Sequence, residues 1–189
     1  MPQKISLKGD EKKIYVEVGF GNGDFTIHLS KKFPEAEIVG IEISKKSIEK
    51  LKKKIEKEGI NNIGIIHSDA KIAISSFPDN SISAIFFNFP DPWWKRRHRK
   101  RRLFNIDFIK LLSKKLKSGG IIEIATDHLE YGGEILRNFE RTKLFQPGFG
   151  SYPALTFVLD RKRTKYEEKF WRMGKTILYM KFVKPHPLS

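Results

Sequence analysis

Three alternate glycines stand directly behind a carboxylate in Glu17-Val18-Gly19-Phe20-Gly21-Asn22-Gly23-Asp24. Glycines at this spacing let the backbone turn sharply and come close to a ligand. Glu42 ends the next β-branched run, where a carboxylate can accept both hydroxyls of a ribose. Asp69 follows the third run, placed either to receive an adenine amino group or to cap a helix. Together these residues describe a site for an adenosine-containing cofactor, and two such cofactors compete. A nicotinamide dinucleotide asks for G-x-G-x-x-G, whereas the glycines here run G-x-G-x-G. Glu17 would also repel a pyrophosphate, but it can attract, directly or through water, the amino-acid end or sulfonium region of S-adenosylmethionine. The expected cofactor is therefore S-adenosylmethionine, held by Glu17, Gly19, Gly21, Gly23, Glu42 and Asp69. Asn88, at the next strand end, is a further candidate for the cofactor set.

That strand end reads Asn88-Phe89-Pro90-Asp91-Pro92-Trp93. Prolines on both sides stiffen the loop and fix the carboxylate of Asp91, which makes it the candidate catalytic group. Phe89 or Trp93 can stack on a base or pack inside. The segment Lys95–Arg102 follows, and seven of its eight residues are cationic at neutral pH. A solvated charged loop is the bland reading. A run of one sign repels itself, however, and phosphates relieve that repulsion while releasing counterions. Nucleic-acid contact through Lys95, Arg97, Lys100, Arg101 and Arg102 is expected, with binding that falls steeply with salt. The whole chain agrees: 37 Lys and Arg face 22 Asp and Glu, a net charge of +15. Such a balance draws polyanions. A thermophile's composition would explain abundant Lys and Glu together, but not the excess of one sign.

These residues need a scaffold, and the apolar pattern supplies one. Strands are predicted at Ile14–Val18, Glu37–Ile43, Asn62–His67, Ser83–Asn88 and Ile121–Thr126. Helices are predicted at Phe25–Lys32, Lys45–Glu58, Leu103–Leu116 and Leu129–Arg141. Ser44 and Gly59 bracket the second helix as its caps. Alternating strands and helices imply parallel pairing with right-handed crossovers. Leu155–Leu159 and Thr176–Val183 read as closing strands joined by a short helix near Tyr166–Met173. A late antiparallel strand then makes a mostly parallel seven-stranded α/β sheet with helices on both faces. Trp94–Arg102 fits no such element and reads as a surface loop. The 189 residues suffice for a single domain, with residues 1–12 as a short extension and 184–189 as a tail. The absence of cysteine excludes disulfides and thiolate chemistry, and His67, His98 and His128 are too scattered for a metal site. No apolar stretch reaches bilayer length and no h-region opens the chain, so a cytoplasmic protein without a membrane partner is expected. A monomer and a homodimer stay equally open.

Phe89-Pro90-Asp91-Pro92-Trp93, followed by Lys95, Arg97, His98, Lys100, Arg101 and Arg102, resembles the signature of bacterial tRNA (guanine-N7-)-methyltransferases. Glu17–Gly23, Thr126-Asp127 and Thr164-Lys165-Tyr166-Glu167 also match, the last resembling the family's T-K-[FY]-E substrate motif. The similarity runs from about Ile14 to Phe182. It implies a Rossmann-like class I methyltransferase fold and methyl transfer to N7 of a guanosine in the tRNA variable loop, giving 7-methylguanosine. By position, Glu17, Glu42, Asp69 and Asp91 would serve the cofactor, with Asp91 also at the reaction centre. Lys95, Asp127, Thr164, Lys165, Tyr166 and Glu167 would contact substrate. Two departures stand out. Trp94 occupies a position where the family often has Pro or another residue, and the segment before the first strand is short, so the RNA-contacting extension of some members is expected to be missing.

Guanine N7 presents a lone pair and needs no deprotonation, so positioning and electrostatics should dominate over a strong base. On this reading Asp91 and Glu167 would hold the guanine edge through its N1 and N2 hydrogens. Thr126-Asp127 admits a second role as the cap of the following helix. The competing functions are a methyltransferase for another RNA or a protein, a noncatalytic RNA-binding module that retains a cofactor fold, and an NAD-dependent oxidoreductase. The intact set Glu17, Glu42, Asp69 and Asp91 argues against decay, and the glycine spacing argues against the oxidoreductase.

Overall fold

A computed structural model describes residues 12–148 and 164–187. Five strands, β1 (Ile14–Val18), β2 (Glu37–Glu42), β3 (Ile63–His67), β4 (Ile82–Asn88) and β5 (Leu116–Thr126), lie parallel. They alternate with α1 (Asp24–Lys32), α2 (Lys45–Glu58), α3 (Ala70–Ser76), α4 (Ile106–Lys115) and α5 (Leu129–Thr142). The chain continues through β6 (Gln146–Pro147), α6 (Lys165–Arg172) and β7 (Leu178–Val183). The sheet order is β3-β2-β1-β4-β5-β7-β6, with β7 antiparallel to both β5 and β6. Ligands in such sheets bind beyond the carboxyl ends of the strands where the order reverses. Here that point lies between β1 and β4.

Burial on both faces explains the nearly continuous apolar strands. Val16, Ile85, Phe87 and Ile124 join Phe108 and Leu112 of α4 and Ile135 and Phe139 of α5 in one core. On the opposite face, Phe25 and Leu29 of α1 pack with Ala84 and Phe86, and Ile48 and Leu51 of α2 pack with Phe20. Glu17 alternates onto this second face, and so meets Thr26 of α1.

Ser44 caps α2 by accepting from Ser47 N at 3.3 Å, and Gly59 ends it at φ 63°. The predicted helix from Leu103 starts instead at Ile106, because Asn105 accepts from Phe108 N at 2.9 Å and fixes the first turn there. β5 begins at Leu116 rather than Ile121. Gly119 and Gly120 exchange backbone hydrogen bonds with Lys184, and the register against β4 shifts between Ile82 and Ala84. The glycine pair is thus an irregularity inside a strand, not a turn before one. The short helix α3 has no counterpart in the sequence reading. The expected strand Leu155–Leu159 lies outside the described residues. Among them, the seventh strand of the sheet is the two-residue β6.

Candidate functional site

The carboxyl ends of β1 and β4 carry Glu17 and Asn88, and the two side chains bridge the switch point. Asn88 Nδ2 donates to Glu17 Oε1 at 2.9 Å, and Thr26 Oγ1 donates to Glu17 Oε2 at 2.5 Å. Glu17 is only 1% exposed. A buried carboxylate needs such donors, and its charge favours a cationic group on any ligand that reaches it. Glu42, at the end of β2, accepts from Gly21 N at 3.0 Å through one oxygen. Its other oxygen accepts from Ile43 N and Ser44 N at 2.9 and 3.0 Å. The carboxylate therefore ties the glycine turn to the second strand.

Gly19, Gly21 and Gly23 all hold left-handed φ values of 72°, 54° and 77°, which side chains rarely adopt. A Cβ on Gly19 or Gly21 would meet no heavy atom within 4 Å, so both backbones border open space. At Gly23 a Cβ would come to 2.7 Å of Leu51 Cδ1, so this glycine serves packing. The open space is a cavity of about 360 Å³ lined by Glu17, Gly19, Gly21, Asn88, Asp91 and Thr164 among others. That volume suits a small-molecule ligand. A larger cavity of about 510 Å³ lies against Tyr15, Phe33, Ile121 and Lys181, where none of the candidate site residues line it. Asp69 is exposed and caps α3, accepting from Lys71 N at 2.8 Å, so the capping alternative describes its contact here.

Asp91 sits in a loop held from several sides. Phe89 and Trp93 take left-handed φ of 55° and 46°. Phe89 N donates to Ala125 O at 2.8 Å, and its ring packs 5.5 Å from Phe170. Trp93 N donates to Asp91 Oδ1 at 2.9 Å. The Trp93 ring meets His98 edge-on at 5.8 Å and carries the Arg101 guanidinium over its face at 5.0 Å. Of the two alternatives open to these aromatics, both take the packed one and are engaged within the protein.

Arg96–Arg101 winds into a 3₁₀ helix rather than an open loop. Lys95, Arg96, Arg97, Lys100 and Arg101 are exposed, and Arg99 pairs with Glu130 at 3.0 Å. Arg102 corrects the expectation of a uniform RNA-facing run, because it is 3% exposed. Its Nε donates to Pro92 O at 2.9 Å, and its Nη1 pairs with Glu134 and lies 3.5 Å from Glu130. Its guanidinium covers Tyr131 at 5.0 Å, and its buried Nη2 has no hydrogen-bond partner among the described residues. Burial pushes the Tyr131 phenol up to about 12. Sequence reasoning missed Tyr131 and Glu134, whose spacing on α5 shows only a helix with one apolar and one acidic edge.

The Thr164–Glu167 segment is a reciprocal helix cap. Glu167 N donates to Thr164 Oγ1 at 3.1 Å, and Thr164 N donates back to the Glu167 carboxylate. Tyr179 donates to the other oxygen of Glu167 at 3.0 Å, and Glu167 is 1% exposed. This corrects its expected contact with a guanine edge, since the carboxylate is buried and engaged inside. The spacing T-x-x-E was the available signal. Thr164 remains on the cavity wall. Lys165 and Tyr166 begin α6. Asp127 pairs with Lys175 at 3.4 Å. The cap of α5 is neither Thr126 nor Asp127 but His128, whose Nδ1 accepts from Tyr131 N at 3.1 Å.

Among the described residues no cluster of three or more His, Asp or Glu is placed to hold a metal ion, and no helix is long and apolar enough to cross a membrane.

The family Methyltransf_4 ("Putative methyltransferase") matches residues 11–180. A Wolbachia pipientis protein named tRNA (guanine-N(7)-)-methyltransferase is 45% identical over 171 residues, covering 89% of this chain and 77% of its own length. A Thermotoga maritima protein of the same name is 38% identical over 171 residues, covering 88% of this chain and 52% of its own length. The chain thus spans about half the length of the Thermotoga relative. A solved structure described as a SAM dependent methyltransferase from Aquifex aeolicus superposes with a TM-score of 0.62 at 16% identity, covering 93% of this chain and 85% of that one. At that identity the likeness concerns the class I methyltransferase fold.

Proposed function

The chain belongs to the tRNA (guanine-N(7)-)-methyltransferase family, and from that premise we propose that it transfers a methyl group from S-adenosylmethionine to N7 of a guanosine in the variable loop of tRNA. The observation that carries the proposal is one cavity shared by two carboxylates of different character. Glu17 is buried and tied by Thr26 and Asn88, while Asp91 is exposed at the root of the cationic tract.

S-adenosylmethionine supplies an electrophilic methyl group on a sulfonium. The residues present fit it. Gly19 and Gly21 offer open backbone, Glu17 offers a buried negative charge for the cationic end, and Glu42 stands at the end of β2 where a ribose would lie. Glu42 already accepts from Gly21 N, so it positions the glycine turn as well. Asp69 stays with the proposed cofactor set as the carboxylate just past β3, which would be available to an adenine amino group.

Asp91 holds the guanine through its ring hydrogens and offsets the positive charge that grows on the base as N7 attacks. No proton has to leave N7, so Asp91 works by position and charge. Thr164 borders the same cavity, and Glu167 positions it through the reciprocal cap. Lys95, Arg97, Lys100 and Arg101 bind the RNA backbone, and Asp127 orients the loop through Lys175. A tRNA substrate places the reaction in the cytoplasm.

The decisive experiment incubates the full chain with labelled S-adenosylmethionine and unmodified tRNA, followed by nucleoside digestion. Label in 7-methylguanosine is the expected result. Cofactor binding without 7-methylguanosine removes the proposal, and label in another nucleoside directs it to the alternative of methylation elsewhere on RNA.

A further inference from the structure

Trp94 is 71% exposed, the most exposed of the large apolar side chains among the described residues. An exposed indole offers a large, flat apolar face that a partner can bury. One side of the ring already has one. The His128 ring lies 4.2 Å from it, centroid to centroid, at 50°. His128 is itself 8% exposed and fixed through Nδ1 to Tyr131 N, so the support under the indole is rigid. The remaining face is open. Trp94 lies three residues from Asp91, within roughly 11 Å of extended chain, and directly before Lys95, Arg96 and Arg97.

We propose that Trp94, braced by His128, is a stacking platform for one unpaired nucleobase of the RNA, adjacent to the base presented to Asp91. The reading rests on the proposed RNA substrate. Charge decides between a nucleobase and an apolar protein partner. Exposed Lys95, Arg96, Arg97 and Lys100 surround the approach, and among the described residues none of them has a carboxylate partner. Base stacking on an aromatic ring beside a cationic groove is the recurrent mode for single-stranded nucleic acid. Trp93 and Phe89, the neighbouring aromatics, are engaged by Arg101 and Phe170. Trp94 therefore offers the open ring face beside this loop.

The test measures binding of an unmodified tRNA transcript to the full chain, Trp94→Ala and Trp94→Phe across a salt series. A matched transcript carries an abasic nucleotide beside the target guanosine on each side in turn. Trp94→Ala should weaken binding by about 5- to 150-fold, which is roughly 1–3 kcal/mol per stacked base at about 1.4 kcal/mol per decade. Trp94→Phe should recover most of that loss. The slope of log Kd against log salt should not change, because no phosphate contact is removed. With one of the abasic transcripts the wild-type and Ala proteins should bind alike. Binding by Trp94→Ala within about twofold of wild type, or an equal loss on all transcripts, overturns the platform. Parallel methyl transfer separates the two readings. If wild type makes no 7-methylguanosine yet the stacking signature holds, the platform stands and the proposed reaction falls.

Discussion

Replacing Arg102 tests whether the basic tract has two jobs. Six side chains, Lys95, Arg96, Arg97, Arg99, Lys100 and Arg101, face outward, while Arg102 turns in to join Pro92 of the Asp91 loop to Glu134 and Tyr131 of α5. Arg102→Ala removes the donor to the Pro92 carbonyl, leaves Glu134 without its partner and uncovers Tyr131. Breaking a fully buried ion pair costs about 3–5 kcal/mol. Glu134 is 33% exposed and Glu130 51% exposed, so water recovers part of that cost. A charge-assisted hydrogen bond to Pro92, about 1.5–3 kcal/mol, overlaps the same loss rather than adding to it. The expected destabilisation is about 3 kcal/mol, or roughly 6–12 °C in Tm at about 2–4 °C per kcal/mol for a chain of this size. Lys at this position can reach the carboxylates or the carbonyl but cannot fork to both, so Arg102→Lys should recover only part. The assay combines thermal melts with RNA binding across salt. A phosphate-contacting arginine would lower the salt slope by about 1 and leave Tm nearly unchanged. That pattern, or a loss below about 1 kcal/mol, would refute the inward-facing clamp.

Three further substitutions probe separate parts of the molecule. Asp91→Ala should abolish turnover while tRNA affinity stays within a few-fold, read by single-turnover methyl transfer beside filter binding; near-normal turnover would remove Asp91 from the mechanism. Gly23→Ala forces a side chain into φ 77° and a Cβ to 2.7 Å of Leu51, so it should cost about 1–3 kcal/mol and weaken cofactor binding, measured by calorimetry. The carboxyl of Asp79 is held below its usual range, first by the hydrogen bond from Lys115 and also by Lys114. Its contribution is therefore present above the unfolded carboxylate value near 3.9 and lost as pH falls through the lower folded value. Urea midpoints of the parent and Asp79→Asn should differ above the unfolded carboxylate value and converge as pH falls below the lower folded one; a gap that does not narrow with acid would exclude this linkage.

Local rules made the glycine turn and the strand-end carboxylates legible. A strand of β-branched residues, three alternate glycines and a carboxylate at each of two strand ends follow from short-range chemistry, and α2 shows both its caps in plain sequence. Elements failed where distant partners decide. Gly119-Gly120 looks like a turn, but pairing with Lys184, just past β7 and more than sixty residues later, keeps it inside β5. The tract after Trp94 shows charge but not direction, and nothing in eight nearly uniform residues distinguishes Arg102, whose burial depends on Glu134 and Tyr131 one helix away. Thr164–Glu167 failed differently. Its T-x-x-E spacing is that of a reciprocal helix cap, and the same residues carry the resemblance to a substrate motif. The two roles are compatible for Thr164, which caps α6 and borders the cavity, but not for the carboxylate of Glu167.

The loop around Asp91 shows how an ordinary scaffold can fix the carboxylate proposed to face the substrate. Left-handed backbone at a bulky residue costs about 1–3 kcal/mol and persists only when neighbours over-determine it. Phe89 and Trp93 both adopt it, one on each side of Pro90-Asp91-Pro92. At one end the restraint comes from Ala125 O and Phe170, and at the other from Arg101 over the indole and Arg102 on Pro92. Asp91 contributes to its own placement, because its Oδ1 accepts from Trp93 N. One oxygen thus serves the loop while Oδ2 has no partner among the described residues, in an exposed side chain at the cavity wall. For a nucleophile that needs no base, a carboxylate fixed in place with one free oxygen is sufficient. The same basic tract then divides by direction: its outward cations face solvent, where the proposed RNA would bind, and its last arginine holds the Asp91 loop.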